Sequence, residues 1–215
     1  GPEVLALKRT VRDHQLVTVC EEAGCPNLSE CWGEGTATFM LCGERCTRAC
    51  GFCLVDTRRP GPLDPTEPDR VAAAVSDMGL DFAVLTMVAR DDLPDGGAAH
   101  VAATVDAIRR VRPGTQVEAL TSDFRGSRDA LEIVLAAAPD VFNHNLETVK
   151  RLQRAVRPSA GYARSLTVLA RAASAGHVTK SGLVVGMGET FDEVVAAMAD
   201  KDIATSSPEE VTGLI

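Results

Sequence analysis

The run ATFMLCGERCTRACGFC, residues 37–53, joins two signals that decide what the rest of the chain must be. Its first six residues read as a buried strand, short, apolar and followed by glycine. Its last eight, CTRACGFC, place Cys46, Cys50 and Cys53 with three and then two residues between them, tight enough for one loop to wrap a single inorganic centre. No fourth cysteine follows. A structural zinc site takes four ligands, commonly as two close pairs set well apart, and the chain has no second pair of that kind. Three thiolates match a cubane [4Fe–4S] cluster with one iron left open for a small chelating cofactor. The other reading is a zinc ion completed by His14, His144 or another side chain.

The chain has 215 residues, enough for one sizeable core. Its net charge of −8 comes from interspersed acidic and basic residues, with no basic block to suggest nucleic acid or a polybasic membrane anchor. No apolar run approaches the ~20 residues that span a bilayer. The opening GPEVLALKRTVRDH carries charges where a signal peptide needs an apolar centre, so the expected location is cytoplasmic, and Gly1-Pro2 fits a scar of tag removal. All seven cysteines lie between Cys20 and Cys53. That clustering points to a metal or cluster site in a reducing compartment, because a disulfide framework would staple the whole chain. Cys42, outside both triplets, is expected to be buried as a small apolar residue.

Beyond the cysteines, strand-like and helix-like segments alternate. A helix over 65–79 precedes a strand over 82–88; a helix over 98–111 precedes a strand over 116–120; a helix over 128–138 precedes a strand over 141–145. Helices over 148–156 and 164–175 lead to a strand over 181–187, a helix from Phe191, and a last strand in DIAT, residues 202–205. Such alternation implies right-handed βαβ units in parallel order, about six of them. It suits a partial α/β barrel and an open doubly wound sheet alike. Polar residues gather after the strands, in RDDLPDGG, at Asn145 and Glu147, and in GMGET, which marks the C-terminal strand ends as the working edge.

The three-then-two cysteine spacing, with Phe52 just before Cys53, resembles the signature of the radical S-adenosylmethionine enzymes. The upstream triplet CEEAGCPNLSEC, with Cys20, Cys25 and Cys31 spaced by four and five residues, resembles the auxiliary-cluster motif of the lipoyl synthases. RDDLPDGGA at 90–98, VFNHNLETVKRL at 141–152 and TKSGLVVGMGET at 179–190 agree with that family in its own order, over roughly residues 3–200. The resemblance implies a partial (β/α)6 TIM-type barrel over residues 37–215, preceded by a cysteine-rich extension over 1–36.

It also implies two [4Fe–4S] clusters and S-adenosylmethionine as cofactors. Cys46, Cys50 and Cys53 would hold the cluster whose open iron chelates S-adenosylmethionine, and Phe52 would lie against the adenine. Cys20, Cys25 and Cys31 would hold the second cluster, whose sulfides enter C6 and C8 of an octanoyl group. Asn145 and Glu147 resemble the pair reaching the ribose hydroxyls; Gly182, Gly186 and Glu189 fit the glycine-rich element beside the adenine. Arg90 and Lys180 are assigned to the methionyl carboxylate or the substrate, with an ordinary salt bridge as the other reading. His144 reads as a core histidine, Trp32 as a cover for the auxiliary cluster or as simple packing, and Asp91 with Asp92 as loop organisers.

The implied partners are an octanoylated lipoyl carrier domain or glycine-cleavage H-type protein, and an electron donor such as ferredoxin or flavodoxin, with no nucleic acid and no membrane. The family completes its auxiliary cluster with a serine from an Arg-Ser-Ser-Tyr segment. Here the only paired serines, Ser206 and Ser207, stand in ATSSPEEV, so the barrel is expected to look incomplete at its C-terminal end. A cluster-binding protein without turnover is the competing reading. Biotin synthase, close in chemistry, is expected to lack the upstream triplet.

Overall fold

In the computed structural model, which describes residues 2–22 and 28–205, five short parallel strands carry the fold. They are β1 (Thr36–Leu41), β2 (Phe82–Met87), β3 (Gln116–Leu120), β4 (Val141–Asn143) and β5 (Thr179–Lys180). Their order in the sheet is their order in the chain. A doubly wound sheet starts at its middle and turns back, whereas a barrel adds each strand beside the last, so the partial barrel is the architecture realised.

Helices cover the outside of this open sheet: α4 (Glu67–Asp77), α5 (Ala98–Val111), α6 (Arg128–Ala136), α7 (Gln153–Val156), α8 (Tyr162–Ser174) and α9 (Phe191–Thr205). Their ends follow local chemistry. Helix α4 opens with Glu67, Pro68 and Asp69, where acids complement the exposed N–H groups and proline loses no hydrogen bond. Helix α6 is capped by Ser127, whose Oγ accepts from the Ala130 N–H at 3.2 Å.

The two faces of the sheet differ. Register places Phe39, Leu85, Ala119 and Phe142 in one row and Ala37, Ala83 and Val117 in another. All seven are buried against the helices. The intervening residues point to the concave side. There Met40, Thr86, Leu120, Asn143 and Lys180 form one row, below which lie Thr38, Val84 and Glu118. Most of this side is only half-buried, and its two buried members, Glu118 and Asn143, are polar.

The N-terminal extension, with α1 (Pro2–Asp13), α2 (Val19–Glu22) and α3 (Leu28–Gly33), packs on the barrel's first edge. Thr18 bridges Phe39 in antiparallel sense, and the Met40 N–H donates to the Val17 carbonyl at 3.0 Å. Val11, Leu28 and Trp32 join the same hydrophobic core as β1 and β2.

Three expected elements come out differently. The strand expected over 181–187 is reduced to Thr179–Lys180 and one further bridge between Glu147 and Leu183. Gly186 and Gly188 adopt φ of 101° and 103°, which breaks the extended backbone. DIAT continues α9 and forms no sixth strand, since no glycine or proline interrupts AAMADKDIAT. The helix expected over 148–156 shrinks to α7, preceded by turns that begin where Glu147 takes a left-handed φ of 63°. Ser206 and Ser207 lie outside the described residues. No helix among the described residues is long and apolar enough to cross a membrane.

Phe39, fully buried at the centre of β1, tests this arrangement. Phe39→Ala is expected to cost about 3–5 kcal/mol in urea unfolding, the range for emptying an aromatic core position.

Candidate functional site

Strand β1 ends by turning sharply. Cys42 and Gly43 take φ of 70° and 90°. The Cys42 N–H donates to the buried Glu67 carboxylate at 2.8 Å, and its carbonyl accepts from Arg90 at 3.1 Å. Its thiol is buried as expected, and burial pushes its pKa up to about 12, so it is not a thiolate ligand.

The loop that follows is closed at its base by the Arg45 and Asp56 bridge and by the Cys46 N–H to the Asp56 carbonyl, at 2.9 Å. It is sewn to the next strand end through Thr47. The Thr47 hydroxyl donates to the Ala89 carbonyl at 2.9 Å and accepts from the Asp91 N–H at 3.0 Å. Arg48, buried beneath the loop, binds both Asp91 oxygens at 2.7 and 2.8 Å and Asp123 at 2.6 Å. Asp123 is itself fully buried and also accepts from Arg164 at 3.2 Å. Asp91 therefore organises a loop, as expected, through a partner 43 residues away.

This scaffold presents three thiols. Two backbone N–H groups, from Arg48 and Ala89, donate to Cys46 Sγ at 3.4 and 3.3 Å, so that sulfur is held as an acceptor. Cys50 is half-buried, and burial raises its pKa against the opposing pull of Arg157, while Cys46 and Cys53 are close enough to add to the rise. Cys53 is exposed. None of the six described cysteines is in a disulfide, and Cys25 lies outside the described residues. Cys20 and Cys31 are half-buried on the extension and pack against the core.

The zinc reading fails on its histidines. His14 binds Asp77 at 2.9 Å, and His144 is buried with Nδ1 on the Thr121 carbonyl at 2.8 Å and Nε2 on Ser165 at 2.9 Å. Among the described residues no group of three or more His, Cys, Asp or Glu is arranged around a single ion. Three cysteines on one loop, with donors aimed at Cys46 and a cation beside Cys50, fit the larger cluster with an open corner.

Across the concave side, Asn145 and Glu147 come together with Gly182. The Gly182 N–H donates to Asn145 Oδ1 at 2.9 Å, and the Glu147 N–H to the Gly182 carbonyl at 3.0 Å. A Cβ on Gly182 would stand 3.1 Å from Asn145 Oδ1, so any larger residue here must push the Asn145 amide back by a few tenths of an ångström. Burial raises the Glu147 pKa, with a hydrogen bond from Asn145 and the charge of Arg157 pulling the other way. Lys180 pairs with the buried Glu118 at 3.0 Å, and Asn143 donates to the same carboxylate at 2.6 Å. That side of the barrel is thus lined by a ready-made polar cluster.

Two expected contacts are placed elsewhere. Arg90 is 2 % exposed, and its donors go to Asp92, Cys42 and Gly61 at 2.9–3.1 Å, a clamp under the strand end. Its nearest carboxylate is two residues away in the chain, which explains why it is withdrawn from the cavity. Glu189 folds back to accept from the N–H groups of Gly186 and Met187, the first of which lowers its pKa most. It shapes the glycine turn from within. Phe52, 37 % exposed, lines a cavity of about 730 Å³ with Cys53, Leu54, Val55, Val17 and Val19. This cavity runs between the cysteine loop and the segment leading into Cys20. Trp32 is buried, with no acceptor for Nε1 among the described residues.

Residues 40–200 match the radical SAM superfamily. The chain is 57 % identical over 202 residues to a lipoyl synthase of Rubrobacter xylanophilus, covering 93 % of this chain and 63 % of that protein. It is 54 % identical to a lipoyl synthase of Chlorobium phaeovibrioides, covering 93 % and 71 %. The chain thus spans about two thirds of the length of these relatives. Methylornithine synthase shares the fold with a TM-score of 0.62 at 14 % identity, over 79 % of this chain and 50 % of that one. HydG, a maturase of the [FeFe]-hydrogenase, does so with 0.61 at 15 %, over 94 % and 51 %.

Two measurements check this site. Asp123→Ala strips Arg48 of a buried partner and is expected to cost about 3 kcal/mol in urea unfolding. Burial lowers the His144 pKa from 6.5 to about 4. Its neutral form therefore stabilises the fold fully above pH 6.5, and that contribution is lost as pH falls toward 4. The loss amounts to at most about 3 kcal/mol. His144→Gln is expected to flatten that part of the stability profile.

Proposed function

Because the chain belongs to the lipoyl synthase family of the radical SAM superfamily, we propose that it inserts two sulfur atoms at C6 and C8 of a protein-bound octanoyl group. The observation that carries this reading is the apolar cavity between the two cysteine segments. Cys53 lines it, and so does Val19, next to Cys20. Val17, Met40, Phe52, Leu54 and Val55 give it an apolar wall along which an unbranched acyl chain can lie, with Glu44, Arg45, Asp56 and Arg58 completing the lining.

Cys46, Cys50 and Cys53 hold one [4Fe–4S] cluster in this proposal, and Cys20, Cys25 and Cys31 hold a second, which is spent as the sulfur donor. With S-adenosylmethionine bound, the first centre supplies the 5′-deoxyadenosyl radical that takes hydrogen from carbon. Asn145 and Glu147 orient the ribose, and Gly182 with Gly186 lets the backbone approach the adenine. Lys180, half-exposed and paired with Glu118, faces the concave side and is one cation that a carboxylate there can engage. Arg90 and Glu189 act indirectly, by fixing the strand end and the glycine turn. The substrate is an octanoylated lipoyl carrier domain or glycine-cleavage H-type protein, and reduction comes from a ferredoxin or flavodoxin. Thiols free of disulfides suit a reducing cytoplasm.

Anaerobic reconstitution tests the proposal. Two cubanes predict about eight irons per chain. With reductant, S-adenosylmethionine and an octanoylated peptide, the wild type should yield 5′-deoxyadenosine and thiolated product. Cys46→Ala should bring cleavage below detection, whereas Cys31→Ala should keep cleavage and lose sulfur insertion. Equal loss of cleavage in both variants would contradict the division of labour. Cluster binding without any cleavage would favour a carrier.

A further inference from the structure

Charge is unevenly divided along the chain. Residues 148–188 hold seven of the 22 lysines and arginines and none of the 30 acids, which leaves the rest with twice as many acids as cations. Five of the seven are engaged. Arg151, Arg164 and Lys180 pair with Glu193, Asp123 and Glu118 at 2.6–3.2 Å. Arg157 and Arg171 donate to carbonyls, those of Asn145 and Leu146 in the first case and of Gly126 in the second. Lys150 and Arg154 are exposed and form no ion pair or side-chain hydrogen bond among the described residues. They stand four residues apart where turns lead into α7, so they share a face, and Arg151, Ala155, Pro158 and Ser159 are exposed beside them. Two acids border this face from α9: Glu193, paired with Arg151, and Asp200, which accepts from the Tyr162 hydroxyl at 3.0 Å.

The same turn is joined to the cysteine loop. The Gly51 N–H, one residue on from Cys50, donates to the Val156 carbonyl at 2.8 Å. The apolar cavity lies along other residues of that loop, Phe52 to Val55, and none of residues 148–159 lines it. The loop therefore meets the cavity through one stretch and a cationic, solvent-facing turn through another. We propose that the face bearing Lys150 and Arg154 docks an acidic one-electron carrier protein, which reduces the centre held at Cys46, Cys50 and Cys53. This rests on the reading of those cysteines as cluster ligands. The carrier loses one electron and the cluster gains it, with no bond made or broken. Redox partners meet over small, transient interfaces, where opposite charge speeds encounter more than it tightens the complex. The hydrogen bond from Gly51 to Val156 keeps the path from this face to a ligand sulfur short.

The test uses anaerobically reconstituted protein with a flavodoxin, reduced to its hydroquinone, as electron donor. Stopped-flow absorbance reads the second-order rate of cluster reduction, and fluorescence titration with oxidised flavodoxin reads binding without turnover. Lys150→Glu with Arg154→Glu should slow reduction by roughly tenfold or more at low salt and weaken binding in parallel, with the Gln pair falling between. High salt should erase most of the difference, because it screens exposed charges. Arg9→Glu with Arg110→Glu, the same charge change placed on α1 and α5, should leave the rate near that of the parent. Dithionite, which needs no docking, should reduce parent and variants alike. Unchanged flavodoxin rate and affinity in the Lys150 and Arg154 reversal overturn the proposal, and so does an equal loss in the Arg9 and Arg110 control, which marks net charge alone. If the reversal instead weakens binding of an octanoylated H-type protein and spares the flavodoxin rate, the face belongs to the acyl carrier and the proposal falls. A parent reduced by dithionite but not by flavodoxin overturns the docking alone. A parent reduced by neither overturns the ligand reading itself, and this role with it.

Discussion

The site depends on a buried charge network centred on Arg48. The cysteine loop has no regular structure, yet it must hold three sulfurs at fixed positions above the strand ends. Arg48 anchors it from below, with Asp91 after β2 and Asp123 after β3 as its partners, and Arg164 of α8 on the far oxygen of Asp123. Burial disfavours both charges, but the Arg48 guanidinium still stays more firmly protonated than usual, through Asp91 and Asp123. Asp123 stays below the usual carboxylate range, because Arg48 outweighs its own burial. Pairing of this quality is what lets ions sit under a loop without unfolding it. It also converts a loop address into a barrel address, since three successive strand ends must be in register before all the bonds can form.

The sheet divides the labour between its faces. Its convex rows are apolar from β1 to β4, the longer one ending on Thr179 of β5, and press on the helices. The concave rows are mixed, and the deepest polar members, Glu118 and Asn143, bond to one another, with Glu118 also pairing with Lys180. A closed barrel of this size would fill its interior with side chains. An open one keeps a concavity, and Asn145, Glu147 and Gly182, proposed to hold the nucleotide, stand on its rim.

Much of this was legible in residues 37–53 alone. Strand, sharp exit and thiol loop follow from apolar patterning and cysteine spacing. The alternation of segments foretold parallel strands and their helices, but not whether the sheet would turn back, because periodicity carries no information about strand order. The glycines of GLVVGMGE were visible, yet their effect of stopping β5 after Lys180 was not, since the same residues also suit a turn after a longer strand. Arg48, Arg157 and Glu118 escaped notice for a different reason. Their partners lie 25 or more residues away, or are backbone atoms, and nothing local distinguishes them from surface charges. Arg90 misled in the opposite direction, because a cation in a polar strand-end motif invites an anion when it is already serving Asp92.

The antiparallel bridge between Thr18 and Phe39 has a consequence for how the extension lives with its cysteines. Small metal-binding modules commonly fold only around their metal. Here Val11, Leu28 and Trp32 are buried in the same core as β1, so the segments bearing Cys20 and Cys31 are moored by oil rather than by iron. On the proposed reading, a centre spent as a reagent is dismantled and rebuilt on a polypeptide that never leaves its berth.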